Sequence, residues 1–175
     1  IKSSAASDVY KRQIAGYKLC LYLSRQYGWN TVSLMPCNLY GTNDNYDPEN
    51  SHVFPAFVRR FVTAARENKT EEVLWGTGSP LREFLHVDDV ANAVYFFLQN
   101  HNDPEVVNIG SGSDITIREL AGKIAAAAGF RGEIRWDASK PDGMYRKLMD
   151  SSKARKLGWK PEITLDEGIE RTVRE

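Results

Sequence analysis

His52 is the residue best suited to proton chemistry. An imidazole titrates near neutrality and can give or take a proton at working pH. His52 ends a stretch rich in Asn, Asp, Gly and Pro and stands just before a run with helical spacing, where a polar side chain can reach a cleft. A surface or helix-capping histidine fits the same place. His86 lies in an apolar, strand-like run and reads as structural, and His101 lies in a polar turn and reads as solvated. These histidines have no metal-ligand spacing with one another or with Cys20 and Cys37, so no zinc site is expected.

Positive groups come next. Guanidinium forks match phosphate oxygens, which makes Arg60 and Arg82 candidate anion binders, with a solvated charge as the plain alternative for each. Arg60 borders the apolar face of its helix, and its neighbour Arg59 reads as solvent-facing. Trp75 ends a strand-like run, where a tryptophan serves either the core or a bound ligand. Asp142 stands in Lys140-Pro141-Asp142-Gly143, a sequence that a simple turn also explains. Pro36, Cys37, Asn38 and Leu39 follow a strand end, where α/β proteins place ligands.

The elements that must hold these residues can be read from spacing. Ile14, Tyr17, Leu21 and Tyr22 predict a helix over 14–27, stopped by Gly28. Thr31 to Met35 predicts a buried strand ended by Pro36, and 38–51 predicts a long loop. Val53, Phe57, Phe61, Ala64 and Ala65 mark a second helix. Strand-like runs at 73–75 and 83–85 flank Gly76-Thr77-Gly78-Ser79-Pro80, which reads as a turn. A third helix is expected from about Asp88 and a short strand at 106–109. Thr116 with Glu119, and Thr164 with Glu167, have the spacing of capping boxes that open helices. A short helix at 151–157, stopped by Gly158, completes the pattern. Strands alternating with helices imply an α/β fold.

Composition bounds the partners. A length of 175 residues with 42% hydrophobic and 26% charged residues suits one globular domain with a real core. Zero net charge gives no reason to expect a nucleic-acid partner or an anionic membrane surface. No apolar run approaches the length of a membrane span. Two thiols do not make a disulfide framework, so a reducing cytoplasm is the expected setting.

Several segments together resemble the GDP-L-fucose synthases of the extended short-chain dehydrogenase/reductase family, from residue 14 to residue 175. They are Ile14-Ala15-Gly16-Tyr17-Lys18-Leu19-Cys20, Met35-Pro36-Cys37-Asn38-Leu39-Tyr40-Gly41, Asn50-Ser51-His52-Val53, Trp75-Gly76-Thr77-Gly78-Ser79-Pro80, Arg82-Glu83-Phe84-Leu85-His86-Val87-Asp88-Asp89 and Ala138-Ser139-Lys140-Pro141-Asp142-Gly143. The Pro-x-Asn-x-Tyr-Gly and Arg-Glu-Phe segments occur across extended reductases and epimerases, whereas Asn-Ser-His-Val and Ser-Lys-Pro-Asp-Gly are closer to the fucose synthases. The resemblance implies the C-terminal part of a Rossmann-type parallel sheet plus the smaller α/β substrate-binding domain. It implies NADPH as cofactor, a GDP-sugar as substrate and a homodimeric parent enzyme. His52 falls at the family's acid/base histidine, Pro36, Cys37, Asn38, Leu39 and His52 at positions near the nicotinamide, and Arg60, Trp75, Arg82 and Asp142 at substrate positions. The family's epimerisation cysteine corresponds to neither Cys20 nor Cys37. Another nucleotide-sugar epimerase or dehydratase of the same superfamily, or a non-catalytic nucleotide-sugar-binding homologue, is the alternative.

Two departures stand out. No Gly-rich dinucleotide fingerprint occurs here, since neither Gly76-x-Gly78 nor Gly110-x-Gly112 completes one. The family's Tyr-x-x-x-Lys pair is expected directly before Ile14, but Val9 and Gln13 occupy those places. Tyr10 and Lys11 are adjacent and cannot reproduce a four-residue spacing that keeps both groups on one helical face. Because the match is close from Ile14 and vanishes before it, 1–13 reads as a non-native leader, with true loss of the pair as the other reading. Either way this chain alone is expected to be inactive.

Overall fold

The computed structural model describes residues 5–174, with side chains from residue 11 onward. Helix α1 (Ala5–Tyr27) stops at Gly28, whose φ of +68° belongs to a residue without a Cβ. Then come β1 (Leu34–Pro36), β2 (Asn38–Tyr40), α2 (Val53–Arg66), β3 (Glu71–Trp75), β4 (Leu81–Arg82), β5 (Phe84–His86) and α3 (Val87–Asn100). The chain continues through β6 (Val107–Ile109), β7 (Ile115–Thr116), α4 (Ile117–Ala127), β8 (Glu133–Asp137), β9 (Arg146–Lys147), α5 (Ser152–Lys156) and α6 (Leu165–Arg174).

Three strand pairs are parallel: β1 with β6, β2 with β5, and β3 with β8. Parallel neighbours need long crossovers, and here each crossover contains a helix, the arrangement of an α/β fold. Strand β4 lies between β7, antiparallel to it, and β9, parallel to it. Two apolar clusters hold these pieces. One joins Phe57 and Phe61 of α2, Leu74 of β3, Leu120 and Ile124 of α4, and Ile169 of α6. The other packs Phe97 of α3 against Leu85, Val107, Ile109, Ala154 and Trp159.

Both capping boxes form. The Glu119 N–H donates to Thr116 Oγ1 at 3.0 Å and the Thr116 N–H returns to Glu119 at 3.0 Å. The Thr164 and Glu167 pair repeats this at 3.3 and 2.9 Å. Each box satisfies backbone donors that a helix start leaves without partners.

The structure corrects several expectations. Helix α1 continues from Ala5 through residue 14 without a break, but of its apolar residues Leu21 is buried while Ile14 and Tyr22 are exposed. Residues 1–4 and the side chains of Val9 and Tyr10 lie outside the described residues, and Gln13 is exposed. The loop expected from 38 begins at 41, because Asn38–Tyr40 pairs with β5, and burial of the Tyr40 ring anchors that pairing. Strand β1 starts at Leu34 rather than Thr31 and includes Pro36 as its last residue, and it is not the buried strand expected, since Met35 and Pro36 are exposed. His101 is buried, not solvated: it caps the C-terminus of α3, and its ring meets Phe97 edge-on at 5.7 Å. Strands β4, β7, β8 and β9 had no counterpart in the sequence reading. For β8 the signal existed, since Ile134 and Trp136 alternate with the more exposed Glu133 and Arg135.

Candidate functional site

Four elements meet around a cleft of about 200 Å³ lined by Val53, Trp75, Gly78, Pro80, Arg82, Ile117, Pro141, Asp142 and Gly143. Val53 opens α2, Trp75 ends β3, and Arg82 ends β4. Three of the expected substrate residues, Trp75, Arg82 and Asp142, therefore share one wall system. Trp75 is 73% exposed, so its ring is a flat apolar surface that the fold leaves uncovered. Lys140 Nζ sits 5.6 Å from the centre of that ring. Arg82 Nη1 donates to its neighbour's Leu81 carbonyl at 2.7 Å, and no carboxylate among the described residues pairs with its guanidinium. Lys147 stands in register beside Arg82 on β9. A stacking face beside an arginine that no carboxylate among the described residues pairs suits a ligand with a planar ring and anionic oxygens.

The 76–79 turn between Trp75 and Arg82 is gripped from two sides. Asp142 accepts the Thr77 N–H at 2.9 Å and the Thr77 hydroxyl at 2.6 Å. These bonds, the hydroxyl first, hold the Asp142 carboxyl below its ordinary pKa. On the other side the Arg118 guanidinium stacks 4.8 Å over Trp136 and donates to the Thr77 carbonyl, while the Arg118 N–H donates to the Gly78 carbonyl at 2.8 Å. The Trp136 ring lies flat against Gly78.

Arg60 is placed differently. Its Nε donates to Glu72 at 2.6 Å and its Nη2 to the Val73 carbonyl at 2.5 Å. It lines a separate cleft of about 320 Å³ with Arg59, Thr63 and Lys69. An ion pair with a largely buried Glu72 offsets most of the charge Arg60 offers to an anion.

His52 is the N-cap residue of α2, but its imidazole makes no capping hydrogen bond and is exposed. That removes the capping explanation for a histidine here. Its neighbour Val53 lines the Trp75 cleft. Among the expected cofactor positions Pro36 and His52 are exposed, whereas Cys37, Asn38 and Leu39 are half-buried. Asn38 spends its side-chain amide on the Glu83 carbonyl at 2.7 Å, and Leu39 packs against the second apolar cluster. Burial, reinforced by the Glu83 carboxylate, pushes the Cys37 thiol up to about 12. What this segment offers a ligand is its backbone and the Pro36 ring. Thr77, Arg118, Lys140 and Lys147 escaped the sequence reading. The first two sit in or beside an obvious turn, but their partners lie far along the chain.

A model of the NAD dependent epimerase/dehydratase family matches residues 4–110. GDP-L-fucose synthase 1 of Arabidopsis thaliana is 55% identical over 160 residues, covering 91% of this chain and 50% of that protein. GDP-L-fucose synthase of Escherichia coli strain K12 is 47% identical over 171 residues, covering 93% of this chain and 53% of that protein. The chain thus spans about half the length of the curated relatives it matches. A GDP-L-fucose synthetase from Naegleria fowleri, solved also with NADP bound, superposes with a TM-score of 0.85 at 28% identity, covering 99% of this chain and 55% of that one. With more than half of its residues matched and close relatives on either side of the plant–bacterial divide, the chain belongs to the NAD dependent epimerase/dehydratase family.

Proposed function

We propose that this chain carries the sugar-nucleotide half of a GDP-L-fucose synthase, an enzyme that epimerises GDP-4-keto-6-deoxymannose at two carbons and reduces its ketone with NADPH. The observation that supports this most is the cleft joining the exposed Trp75 ring to the Arg82 guanidinium, which no carboxylate among the described residues pairs. Trp75 stacks on an apolar face of the ligand, and Arg82, with Lys147 beside it, takes the diphosphate. Arg60 contributes from its own cleft, at a strength reduced by Glu72.

The 4-ketone makes the hydrogens on both adjacent carbons acidic, because removing either leaves an enolate. A base on one face and an acid on the other invert those carbons. His52, exposed and free of a capping bond beside this cleft, is the group that gives or takes the proton. NADPH supplies, when bound, the hydride for the ketone. Here Pro36, with the backbone of Cys37, Asn38 and Leu39, would border the nicotinamide end, at the carboxyl end of a parallel strand. A homodimer of the whole protein through α1 belongs to the same reading, supported by the exposed Ile14, Leu19 and Tyr22. This chain by itself, with Val9 and Gln13 where the resemblance expects Tyr and Lys, is proposed to turn over no NADPH.

The test is calorimetric titration of the chain with GDP and with UDP. GDP is expected to bind and UDP to bind more weakly. Trp75→Ala and Arg82→Ala should each lower GDP affinity about tenfold, the scale of one stacking or charge-assisted contact. Equal affinity for the two nucleotides, or indifference to both variants, would overturn the reading.

A further inference from the structure

We propose that Arg118 is a positioning residue for the nucleotide: it bolts the sheet that carries Trp75 to the sheet that carries Arg82 and so fixes the span between ring and guanidinium. This rests on the nucleotide reading above. The two anchors stand on different sheets. Trp75 is in register with Asp137 on β8, and Arg82 is in register with Ile115 on β7. Arg118, three residues past Ile115, lays its guanidinium 4.8 Å from the centre of the Trp136 ring, and Trp136 is the residue before Asp137. One stacked pair therefore reaches from β8 to the start of α4.

The chain between the anchors is laid along the same segment. Arg82 and Leu81 pair with Ile115 and Thr116. Where that ladder ends, the first donors of α4 continue it. The Ile117 N–H donates to the Pro80 carbonyl at 2.9 Å, and the Arg118 N–H to the Gly78 carbonyl at 2.8 Å. The Arg118 guanidinium then donates to the Thr77 carbonyl. A helix start leaves its first N–H groups without partners inside the helix, so these bonds take nothing from α4. The Trp136 ring closes the back of the turn, 2.7 Å from where a Cβ on Gly78 would stand. Arg118 thus holds both the ring behind the turn and a carbonyl at its head. Gly78 and Pro80 line the cleft and Arg118 does not, so its effect on a ligand there passes through the residues it places.

The experiment pairs GDP calorimetry with exchange of the backbone amide at position 118, in the 175-residue chain and in Arg118→Met, Arg118→Lys, Trp75→Ala and the Arg118→Met/Trp75→Ala double variant. The amide is expected to be protected in the parent and to exchange about tenfold faster in Arg118→Met, where the guanidinium no longer holds the turn. Arg118→Met should weaken GDP about tenfold in the parent background and little in the Trp75→Ala background, because it acts through the placement of that ring. Arg118→Lys should bind as weakly as Arg118→Met, since an ammonium has no planar face to lay on Trp136. Full affinity in Arg118→Lys would mean that only the charge counts, and equal losses in the two backgrounds would mean that Arg118 touches the nucleotide. Either result overturns the inference, as does exchange at the same rate in the parent and in Arg118→Met. Faster exchange in Arg118→Met, together with a parent chain that binds no GDP, overturns the nucleotide reading instead.

Discussion

At the scale of single residues, burial and partners decide which candidates keep their chemistry. Arg60 and Arg82 look alike in the sequence, but one has a glutamate against it and the other does not. His52 stands at the N-cap position of α2 but makes no side-chain capping bond. Cys37 goes the other way. Its pKa near 12 leaves almost no thiolate at neutral pH, and the thiolate is the reactive form. Iodoacetamide at pH 8 should leave Cys37 unmodified in the folded chain and alkylate it in denaturant, read by mass spectrometry. Rapid labelling of the folded chain would show the thiol to be accessible and ionised, contrary to its surroundings.

At the scale of elements, the 76–79 turn is the critical piece. A Cβ at Gly78 would stand 2.7 Å from the Trp136 ring, on a backbone with φ of +74°. Gly78→Ala should cost about 2 kcal/mol or more, combining the strain of a left-handed residue with a clash against an aromatic ring. A urea midpoint unchanged by this substitution would mean the ring yields freely. The turn also has a predictable acid limit. The Asp142 pKa is depressed in the folded state, so its contribution is full above the ordinary carboxylate pKa and is lost as pH falls through the lower, folded value. Thr77 amide protection should therefore persist through about pH 4 and fade only below it. Fading at a higher pH would indicate that Asp142 is not held by these bonds. Helix α4 depends on its own first turn: Thr116→Ala removes one half of a capping box and should cost about 1 kcal/mol.

At the scale of the molecule, one buried carboxylate ties together segments distant in the chain. Glu83 is fully buried between Arg82 and β5, accepting the Gly112 N–H at 2.7 Å and the Met149 N–H at 3.0 Å. Its backbone carbonyl also receives the Asn38 side chain, which links β2 to the same node. Glu83→Gln would turn one acceptor into a donor facing an N–H, leaving a buried pair of donors opposed. The expected loss is about 2 kcal/mol, read from the urea midpoint. A neutral result would mean the 149 segment can move away without cost. Asp89 plays a comparable part for the segment before α6, accepting the N–H groups of Glu162 and Ile163.

What the sequence determined by itself was local. The existence of the helices, both capping boxes, the stop at Gly28, the turn at 76–79 and the α/β class all depend on residues a few positions apart, whose spacing is visible in a line of text. The resemblance put Arg60, Trp75, Arg82 and Asp142 at substrate positions; the last three line one cleft, whereas Arg60 lines another. What only the tertiary structure decided involves partners distant in the chain. Asp142 meets Thr77 across 65 positions and Glu83 meets Met149 across 66, and no periodicity encodes either pairing. The two-residue strands β4, β7 and β9 are too short for an alternation to show, and exist because a neighbour offers hydrogen bonds. His101 illustrates the same limit. Its flanking residues are polar, and it is buried because the Phe97 ring and the second apolar cluster lie where the helix happens to end.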